Sequence, residues 1–226
     1  MKIIAHRSLS KFAPENSLKA VNLALEEGVG GIEIDVRQTK DKKLVLFHDP
    51  TLRRLGGVNR KIDSYNSAEL SEIRLKSGEP IAFLSEILDA VDGKTLLVIE
   101  GKGKAWATTL KNELKTCSWL DNIRVISFNR LELAKFKQLF PGPKCYIITL
   151  LNSYKASSLA RQNNFDGVVV HSALLHPFLY NSALKHHLGI NVFTLNNAVI
   201  ARQIHKLYPE ADITTDQPLK IKSALS

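Results

Sequence analysis

Short runs of apolar, mostly β-branched residues alternate along the chain with longer amphipathic stretches. Runs this apolar are typical of strands covered on both faces, and the stretches between them have the period of helices. The predicted strands are 2–5, 31–36, 44–47, 95–100, 123–127, 144–149, 167–170, 191–195 and 211–215. Helix starts are predicted at Asn16 with Ser17, at Asn129 and at Asp216, because each precedes an amphipathic stretch.

This alternation predicts parallel βαβ units, and eight units with one extra strand fit a TIM-type (β/α)8 barrel better than an open sheet. We assign 31–36 and 44–47 to one local unit, joined by the turn-like stretch 39–43. The segment 49–80 breaks the rhythm, because it contains Gly and polar residues and no strong strand. We therefore expect a single domain over 1–226, with 49–80 as a small insertion over the end of the barrel that carries active sites.

Composition changes this picture mainly through charge. Hydrophobic residues make up 44% and charged residues 23% of the 226 positions, which excludes a disordered or fibrous chain. The formal net charge of +9 favours anionic partners such as phosphate esters, lipid headgroups or nucleic acid. Because the basic residues are scattered and no nucleic-acid-binding motif is present, we expect a small-molecule partner and no nucleic acid.

Targeting and cysteine signals are sparse. No apolar run approaches the ~18–20 residues that span a bilayer, and the first residues turn charged before an apolar stretch reaches signal-peptide length. We therefore expect a cytoplasmic protein without stable membrane insertion, and the sequence leaves the oligomeric state open. Cys117 and Cys145 lie in no cluster with zinc spacing, so we expect both to be reduced.

Ionisable residues gather at the predicted strand ends, where a barrel forms its active site. They are His6, Arg7, Glu33, Asp35, His48, Asp49, Glu100 and Lys102. Glu33 and Asp35 are two apart in one strand, so their side chains share a face. If that face is the barrel interior, a Mg²⁺ or Ca²⁺ ion would keep the two carboxylates ionised, and Glu100 would complete an oxygen-rich site. The alternative is a structural network in which the carboxylates pair with Arg7 or Lys102.

The two strand-end histidines, His6 and His48, are suited to divide the roles of general base and general acid. Cleavage of a phosphodiester needs such a pair, together with a metal and cations that offset the charge of the phosphoryl group. A glycosidase would need the carboxylates but not two histidines and two cations. P-loop, nucleophile-elbow and HExxH motifs are absent from the sequence.

Nine segments, in a specific order and spacing, connect the chain with a known family. They are AHR at 5–7, APENS at 13–17, GIEIDVRQTKD at 31–41, FHDPTL at 47–52, AEL at 68–70, VIEGK at 98–102, ISFN at 126–129, VFTLNN at 192–197 and ADITTDQP at 211–218. Through them the chain resembles the glycerophosphodiester phosphodiesterase family over nearly its whole length. The resemblance implies a TIM-type barrel with a small insertion, and hydrolysis of glycerophosphodiesters to sn-glycerol 3-phosphate and an alcohol with Mg²⁺ or Ca²⁺.

Carried over position by position, the resemblance implies a role for each residue of the site. The implied metal ligands are Glu33, Asp35 and Glu100, the acid–base pair His6 and His48, and the phosphate-contacting cations Arg7 and Lys102. Glu15 is implied to orient Arg7 or His6. We expect a glycerol hydroxyl to attack phosphorus, with His6 as base and His48 as acid, and water then to open a cyclic phosphate. Direct attack by water is the alternative.

Three positions depart from the family pattern. Ser8 stands where the family usually has Gly, and its side chain would narrow the pocket or add a hydroxyl donor. Lys42 occupies a turn position that Gly holds more easily, at a cost of roughly 1 kcal/mol if its backbone is left-handed. Phe193 stands where Trp is common and would form the apolar pocket wall.

Two other functions stay open at this point. The same site could serve a lysophospholipase D-like enzyme that acts on lipid phosphodiesters, and the positive charge would then assist contact with an anionic membrane. A non-catalytic phosphate-binding barrel is the third possibility, which the replacement of Gly by Ser8 makes conceivable. The leading hypothesis is a hydrolase of glycerol and lipid metabolism.

Overall fold

A computed structural model describes residues 1–150 and 155–225, and it confirms the barrel. Eight parallel strands close into a ring because β1 pairs with both β9 and β2. The ring strands are β1 (Ile3–Ala5), β2 (Gly31–Gln38), β4 (Leu96–Gly101), β5 (Ile123–Ser127), β6 (Lys144–Thr149), β7 (Gly167–His171), β8 (Gly189–Phe193) and β9 (Ala211–Thr215). The extra strand, β3 (Leu44–Leu46), runs antiparallel to β2 outside the ring.

Helices cover the outside of the ring, and their starts follow local capping chemistry. They are α1 (Leu18–Glu26), α4 (Leu84–Val91), α5 (Trp106–Leu114), α6 (Arg130–Leu139), α7 (Ala156–Gln162), α8 (Pro177–Lys185), α9 (Ala198–Leu207) and α10 (Pro218–Leu225). The side chains of Ser17 and Asn129 accept hydrogen bonds from the first turns of α1 and α6, as predicted. Asn16 and Asp216 were also predicted as start signals, but their side chains hydrogen-bond within the barrel mouth instead.

Strand alternation divides the barrel into an outer and an inner face. The outward residues Ile32, Ile34 and Val36 of β2 are buried in the main core between strands and helices. A second, smaller cluster inside the ring includes Ile4, Val98, Ile126, Tyr146, Ile148 and Val169. Tyr146 fills the space that glycines leave on two neighbouring strands, because a Cβ at Gly167 or Gly189 would overlap its side chain. Glu33 and Asp35 share the inner face with this apolar cluster and lie next to it, toward the carboxyl ends of the strands.

The segment 49–80 contains two short helices, α2 (Arg53–Gly56) and α3 (Ser67–Ser71). Its apolar side chains pack in a cluster of their own with residues from β3 and its ends, which comprises Val45, Phe47, Leu52, Ile62, Tyr65, Leu70, Leu75 and Ile81. Within 49–80, single residue pairs form β-bridges, but the segment forms no β-strand. Whether 1–226 behaves as one domain stays a prediction. Among the described residues, no helix has the length and apolar character needed to cross a bilayer.

Candidate active site

Three carboxylates converge inside the barrel mouth. Glu33 and Asp35 point inward from β2, and Glu100 points inward from β4, where its Cα is paired in register with that of Asp35. All three residues are buried. Each contributes a carboxylate oxygen to a group in which all oxygens lie within 4.8 Å of one another. The strand alternation that places Glu33 and Asp35 on one face therefore brings them together with Glu100.

Crowding of negative charge shifts the protonation of these groups. Burial, reinforced by the charge of Asp35, raises the pKa of Glu33 to about 7 and that of Glu100 to about 8. Burial also opposes ionisation of Asp35, but the charges of Lys102 and His48 and a hydrogen bond from Asn16 outweigh it and lower the pKa of that carboxyl group. Three carboxylates in one buried space are costly unless cations neutralise them.

The protein's own cations neutralise part of this charge. The Lys102 Nζ atom lies 3.1 Å from Asp35 Oδ1 and 2.7 Å from Glu100 Oε1. Arg7 donates its backbone N–H to Glu33 Oε2 at 2.8 Å, and its Nε lies 3.6 Å from Asp35 Oδ2. The ion pairs of the structural alternative are therefore present. They leave Glu33 Oε1 buried, with no hydrogen-bond partner among the residues that the structure describes.

The donor set fits a divalent cation. Mg²⁺ and Ca²⁺ prefer oxygen ligands, and carboxylates are the ligands that proteins supply to them most directly. Glu33, Asp35 and Glu100 offer such oxygens within reach of one ion, and the unpartnered Glu33 Oε1 gives a reason for one to bind. These residues are the ones that would hold the metal.

His6 lies in the 3₁₀ turn that follows β1, and Asp216 fixes its ring. His6 Nδ1 lies 2.6 Å from Asp216 Oδ1, and Asp216 also accepts hydrogen bonds from Asn196 and Ser10. These neutral partners leave the negative charge of Asp216 for the imidazole. Burial lowers the pKa of His6, but the hydrogen bond that its ring donates to Asp216 and the charge of Glu33 outweigh it and raise that pKa.

His48 has a different electrostatic environment. Its Nδ1 lies 2.8 Å from Asp49 Oδ1, but Asp49 also accepts a hydrogen bond at 2.5 Å from Nε of Arg54, a residue of α2. The guanidinium of Arg54 therefore offsets part of the charge of the carboxylate that faces His48. Burial lowers the pKa of His48, and Asp49 and Asp35 only partly oppose this effect. Arg37 fixes the backbone here, since its Nε and Nη2 donate to the His48 carbonyl at 3.0 and 2.7 Å.

Glu15 links the loop after β1 to the insertion. Its carboxylate accepts hydrogen bonds from Arg7 at 3.3 Å and from both terminal nitrogens of Arg54 at 2.6 and 2.9 Å. Of the two residues that the sequence analysis expected it to orient, Glu15 therefore contacts Arg7. Its neighbour Asn16 holds Asp35 from two sides, because its amide donates to Oδ2 at 2.8 Å and accepts the Asp35 backbone N–H at 3.0 Å.

The opposite side of the barrel mouth is aromatic. Phe193, at the end of β8, is half-buried and packs edge-to-face against Phe128 and His171, with ring centroids 6.3 and 6.4 Å away. Phe128 follows β5 and His171 ends β7, so the three side chains come from the carboxyl ends of different strands. They form an apolar wall at the position predicted for Phe193.

Ser8 and Lys42, which stand where the family usually has Gly, both have left-handed backbone conformations. Lys42 has a φ of 60°, so its turn carries the strain expected from the sequence. Ser8 has a φ of 61° within a run of three left-handed residues that includes Arg7 and Leu9. Its side chain is fully buried, and within the described part of the chain its Oγ has no hydrogen-bond partner. The serine therefore has the backbone conformation that Gly adopts most easily and buries an unpaired hydroxyl as well.

Sequence reasoning missed four residues of this site: Asn16, Arg37, Arg54 and Asp216. Asn16 and Asp216 were interpreted as helix starts, because a polar residue before an amphipathic stretch gives the same signal in either role. Arg37 was detectable, since it continues the two-residue spacing of Glu33 and Asp35 on β2. Arg54 had no local signal, because only the path of the insertion brings it to Asp49.

Comparisons with known proteins show the family to which the chain belongs. The model of the Glycerophosphoryl diester phosphodiesterase family matches residues 6–220. A glycerophosphodiester phosphodiesterase of Caldanaerobacter subterraneus subsp. tengcongensis is 28% identical over 192 residues, which cover 79% of this chain and 76% of the relative. The crystal structure of a glycerophosphodiester phosphodiesterase from Thermotoga maritima is 28% identical, with a TM-score of 0.83 and coverage of 99% and 98%.

A second solved structure supports the fold. It is a phosphodiesterase of Oleispira antarctica in complex with the product sn-glycerol-3-phosphate, 24% identical, with a TM-score of 0.91 over 100% of this chain and 96% of the neighbour. The family match covers almost all of the barrel, from His6 in the first strand-end turn to Lys220 in α10. Because this match covers most of the chain, the protein belongs to the glycerophosphoryl diester phosphodiesterase family and is a phosphoric diester hydrolase.

Proposed function

We propose that this protein hydrolyses glycerophosphodiesters to sn-glycerol 3-phosphate and an alcohol, with a divalent cation and with His6 and His48 as the acid–base pair. The observation that carries the proposal is the buried group of Glu33, Asp35 and Glu100 with an imidazole held by an aspartate on either flank. The complex of the Oleispira antarctica phosphodiesterase with sn-glycerol-3-phosphate supports the product class.

The cation would be Mg²⁺ or Ca²⁺, held by Glu33, Asp35 and Glu100. When bound, it offsets the phosphoryl charge and lowers the pKa of a hydroxyl that it contacts. Arg7 and Lys102 add positive charge next to the carboxylates, in a position to contact the phosphate. Phe193 forms the apolar wall of the pocket, and Glu15 orients Arg7.

Charge balance around the two histidines favours an assignment opposite to the one made from sequence. Among residues 1–150 and 155–225, His6 is the one cationic group within 4 Å of the Asp216 carboxylate, so a proton on His6 neutralises that pair. Asp49 already has the Arg54 guanidinium as a partner, which it shares with Glu15, so Asp49 stabilises a proton on His48 less than Asp216 stabilises one on His6. We therefore assign His48 as the general base and His6 as the general acid.

In the proposed reaction, His48 accepts the proton of the attacking hydroxyl as its oxygen bonds to phosphorus. The bond from phosphorus to the alcohol oxygen breaks, and His6 donates a proton to the departing alkoxide. If a glycerol hydroxyl attacks, water then opens the cyclic phosphate with the proton roles reversed. Direct attack by water gives the same products in one step. The cytoplasmic location and the lack of a nucleic-acid partner stay predictions from the sequence.

The test is turnover of glycerophosphocholine, glycerophosphoethanolamine and glycerophosphoglycerol with Mg²⁺, Ca²⁺, Mn²⁺ or EDTA. We expect metal-dependent release of sn-glycerol 3-phosphate, and we expect His48→Ala to lower kcat by about 10³-fold with an unchanged Tm. His205→Ala, on the exposed face of α9, is the matched control. Near-wild-type turnover of His48→Ala would contradict the two-histidine scheme. Faster turnover of monoacylated than of deacylated substrates would instead support the lysophospholipase D-like alternative.

A further inference from the structure

A second, basic pocket lies beside the carboxylate site. It is a cavity of about 120 Å³ between the end of β2, the loop after β4 and the insertion. The charged residues that line it are Arg37, Lys61, Asp63, Lys102 and Lys104. Its volume is about that of four waters, which is enough for one tetrahedral anion such as a phosphate group.

Most of the positive charge in this basic pocket lacks an ionic partner. Lys102 is paired with Asp35 and Glu100. In the described part of the chain, however, Arg37, Lys61 and Lys104 form no ion pair within 4 Å. Asp63 is the acidic residue in the lining, so these three cations leave a net charge of about +2. A phosphomonoester carries a matching charge of about −1.5 to −2 at pH 7.

Arg37 connects the basic pocket to the catalytic strand. It follows Glu33 and Asp35 on the same face of β2, two residues further toward the mouth. Two of its guanidinium nitrogens bind the His48 carbonyl, and its Nη1 has no hydrogen-bond partner among residues 1–150 and 155–225. Arg37 is therefore held in place by two hydrogen bonds, and its Nη1 can donate a hydrogen bond to a ligand.

The other side of the mouth carries aromatic side chains. Phe128, His171 and Phe193 form the aromatic wall there. A nearby cavity between the ends of β8 and β9 is lined by one lysine, Lys220. A substrate with two unlike ends therefore meets a basic side and an apolar side.

We propose that the basic pocket binds a second anionic group of the substrate. The preferred substrates are then glycerophosphodiesters whose alcohol part carries a phosphate or carboxylate. The inference rests on the proposed function and deepens it, because it names the class of alcohol that this site selects.

The experiment compares glycerophosphoglycerol with the same diester that carries a phosphomonoester on its free glycerol end. We expect the wild type to favour the phosphorylated substrate by about 10-fold or more in kcat/KM, since charge-assisted hydrogen bonds are strong. The Lys61→Ala/Lys104→Ala double variant should lose most of this preference. Higher salt should reduce the wild-type preference because both lysines are exposed.

Lys220→Ala is the matched control, because it removes a lysine from the other side of the mouth and should leave the substrate ratio unchanged. Binding of both diesters to inactive His48→Ala gives a readout that does not depend on turnover and should show the same ratio. Equal kcat/KM for the two diesters in the wild type, or an unchanged ratio in the double variant, would overturn the basic pocket alone. No hydrolysis of either diester with any of the metals would overturn the proposed function itself.

Discussion

The inside of this barrel holds two polar layers that differ in charge balance. The lower layer, near the amino ends of the strands, pairs Arg124 with Asp212 at 2.9 Å and stacks the guanidinium over Tyr146, 4.3 Å from its ring centroid. The upper layer sets three carboxylates against Lys102 and the more distant Arg7. Both layers are largely buried, so burial does not distinguish them.

The charge balance of a buried polar layer indicates whether the layer is structural or binds a ligand. In the lower layer one cation faces one anion, with Asn191 beside them and hydrogen-bonded to Thr214, so its charges balance even though Arg124 Nε has no hydrogen-bond partner among the described residues. The upper layer has excess negative charge, a raised pKa on two carboxyl groups and an unpartnered Glu33 oxygen. Such an imbalance is tolerated in a folded protein when a ligand completes the site.

The largest expected effect comes from removing one charge from the upper layer. Glu33→Gln should lower kcat by about 10³-fold, because a metal ligand worth several kcal/mol is lost. In EDTA the same variant should raise the free energy of unfolding by about 1–2 kcal/mol, since it relieves repulsion between buried carboxylates. Urea unfolding with and without Mg²⁺, alongside the activity assay, measures both effects.

Glu33→Gln also decides between the metal site and the structural network. If Glu33 served mainly as a partner of Arg7, its replacement would destabilise the protein in EDTA. The wild type should gain Tm on addition of Mg²⁺ because the ion binds only the folded chain, whereas Glu33→Gln should gain less. A variant that is less stable and still active would refute the metal role.

The sequence predicts the features that depend on local patterns, but it does not predict contacts between strands that are far apart in the chain. The alternation of apolar runs with amphipathic stretches predicts the barrel, and the two-residue spacing predicts the shared face of Glu33 and Asp35, because both patterns are local properties of the chain. The lower layer was missed, since Arg124 and Asp212 lie on strands 88 residues apart and neither belongs to a local motif. Asp216 was missed for the same reason, because its contact with His6 requires the barrel to close.

The next effect tests the balance of the lower layer. Arg124→Met should reduce the free energy of unfolding by about 3 kcal/mol, because it leaves the partly buried Asp212 carboxylate without its cation. Adding Asp212→Asn should recover part of that loss, since no charge then remains unpaired. Urea titrations measure both free energies of unfolding, and kcat of the folded variants shows whether the active site at the barrel mouth is intact. A loss below about 1 kcal/mol for Arg124→Met would mean that the lower layer is not held by this pair.

The smallest effect concerns backbone strain rather than charge. Ser8→Gly should stabilise the protein by about 1–2 kcal/mol, because it removes both a left-handed non-glycine residue and a buried unpaired hydroxyl. Lys42→Gly is the matched control, since it relieves a similar φ at an exposed turn, and we expect only about 0.5–1 kcal/mol there.

The two variants should also separate in activity. Ser8 directly follows Arg7, whose backbone N–H donates a hydrogen bond to Glu33, so backbone strain at Ser8 acts on the upper layer. Lys42 lies in the turn between β2 and β3, away from that layer. If Ser8→Gly is more stable but loses turnover, the strain helps to hold Arg7 against the carboxylates. If both variants gain stability and keep kcat within about threefold, the imbalance of charge alone defines the upper layer.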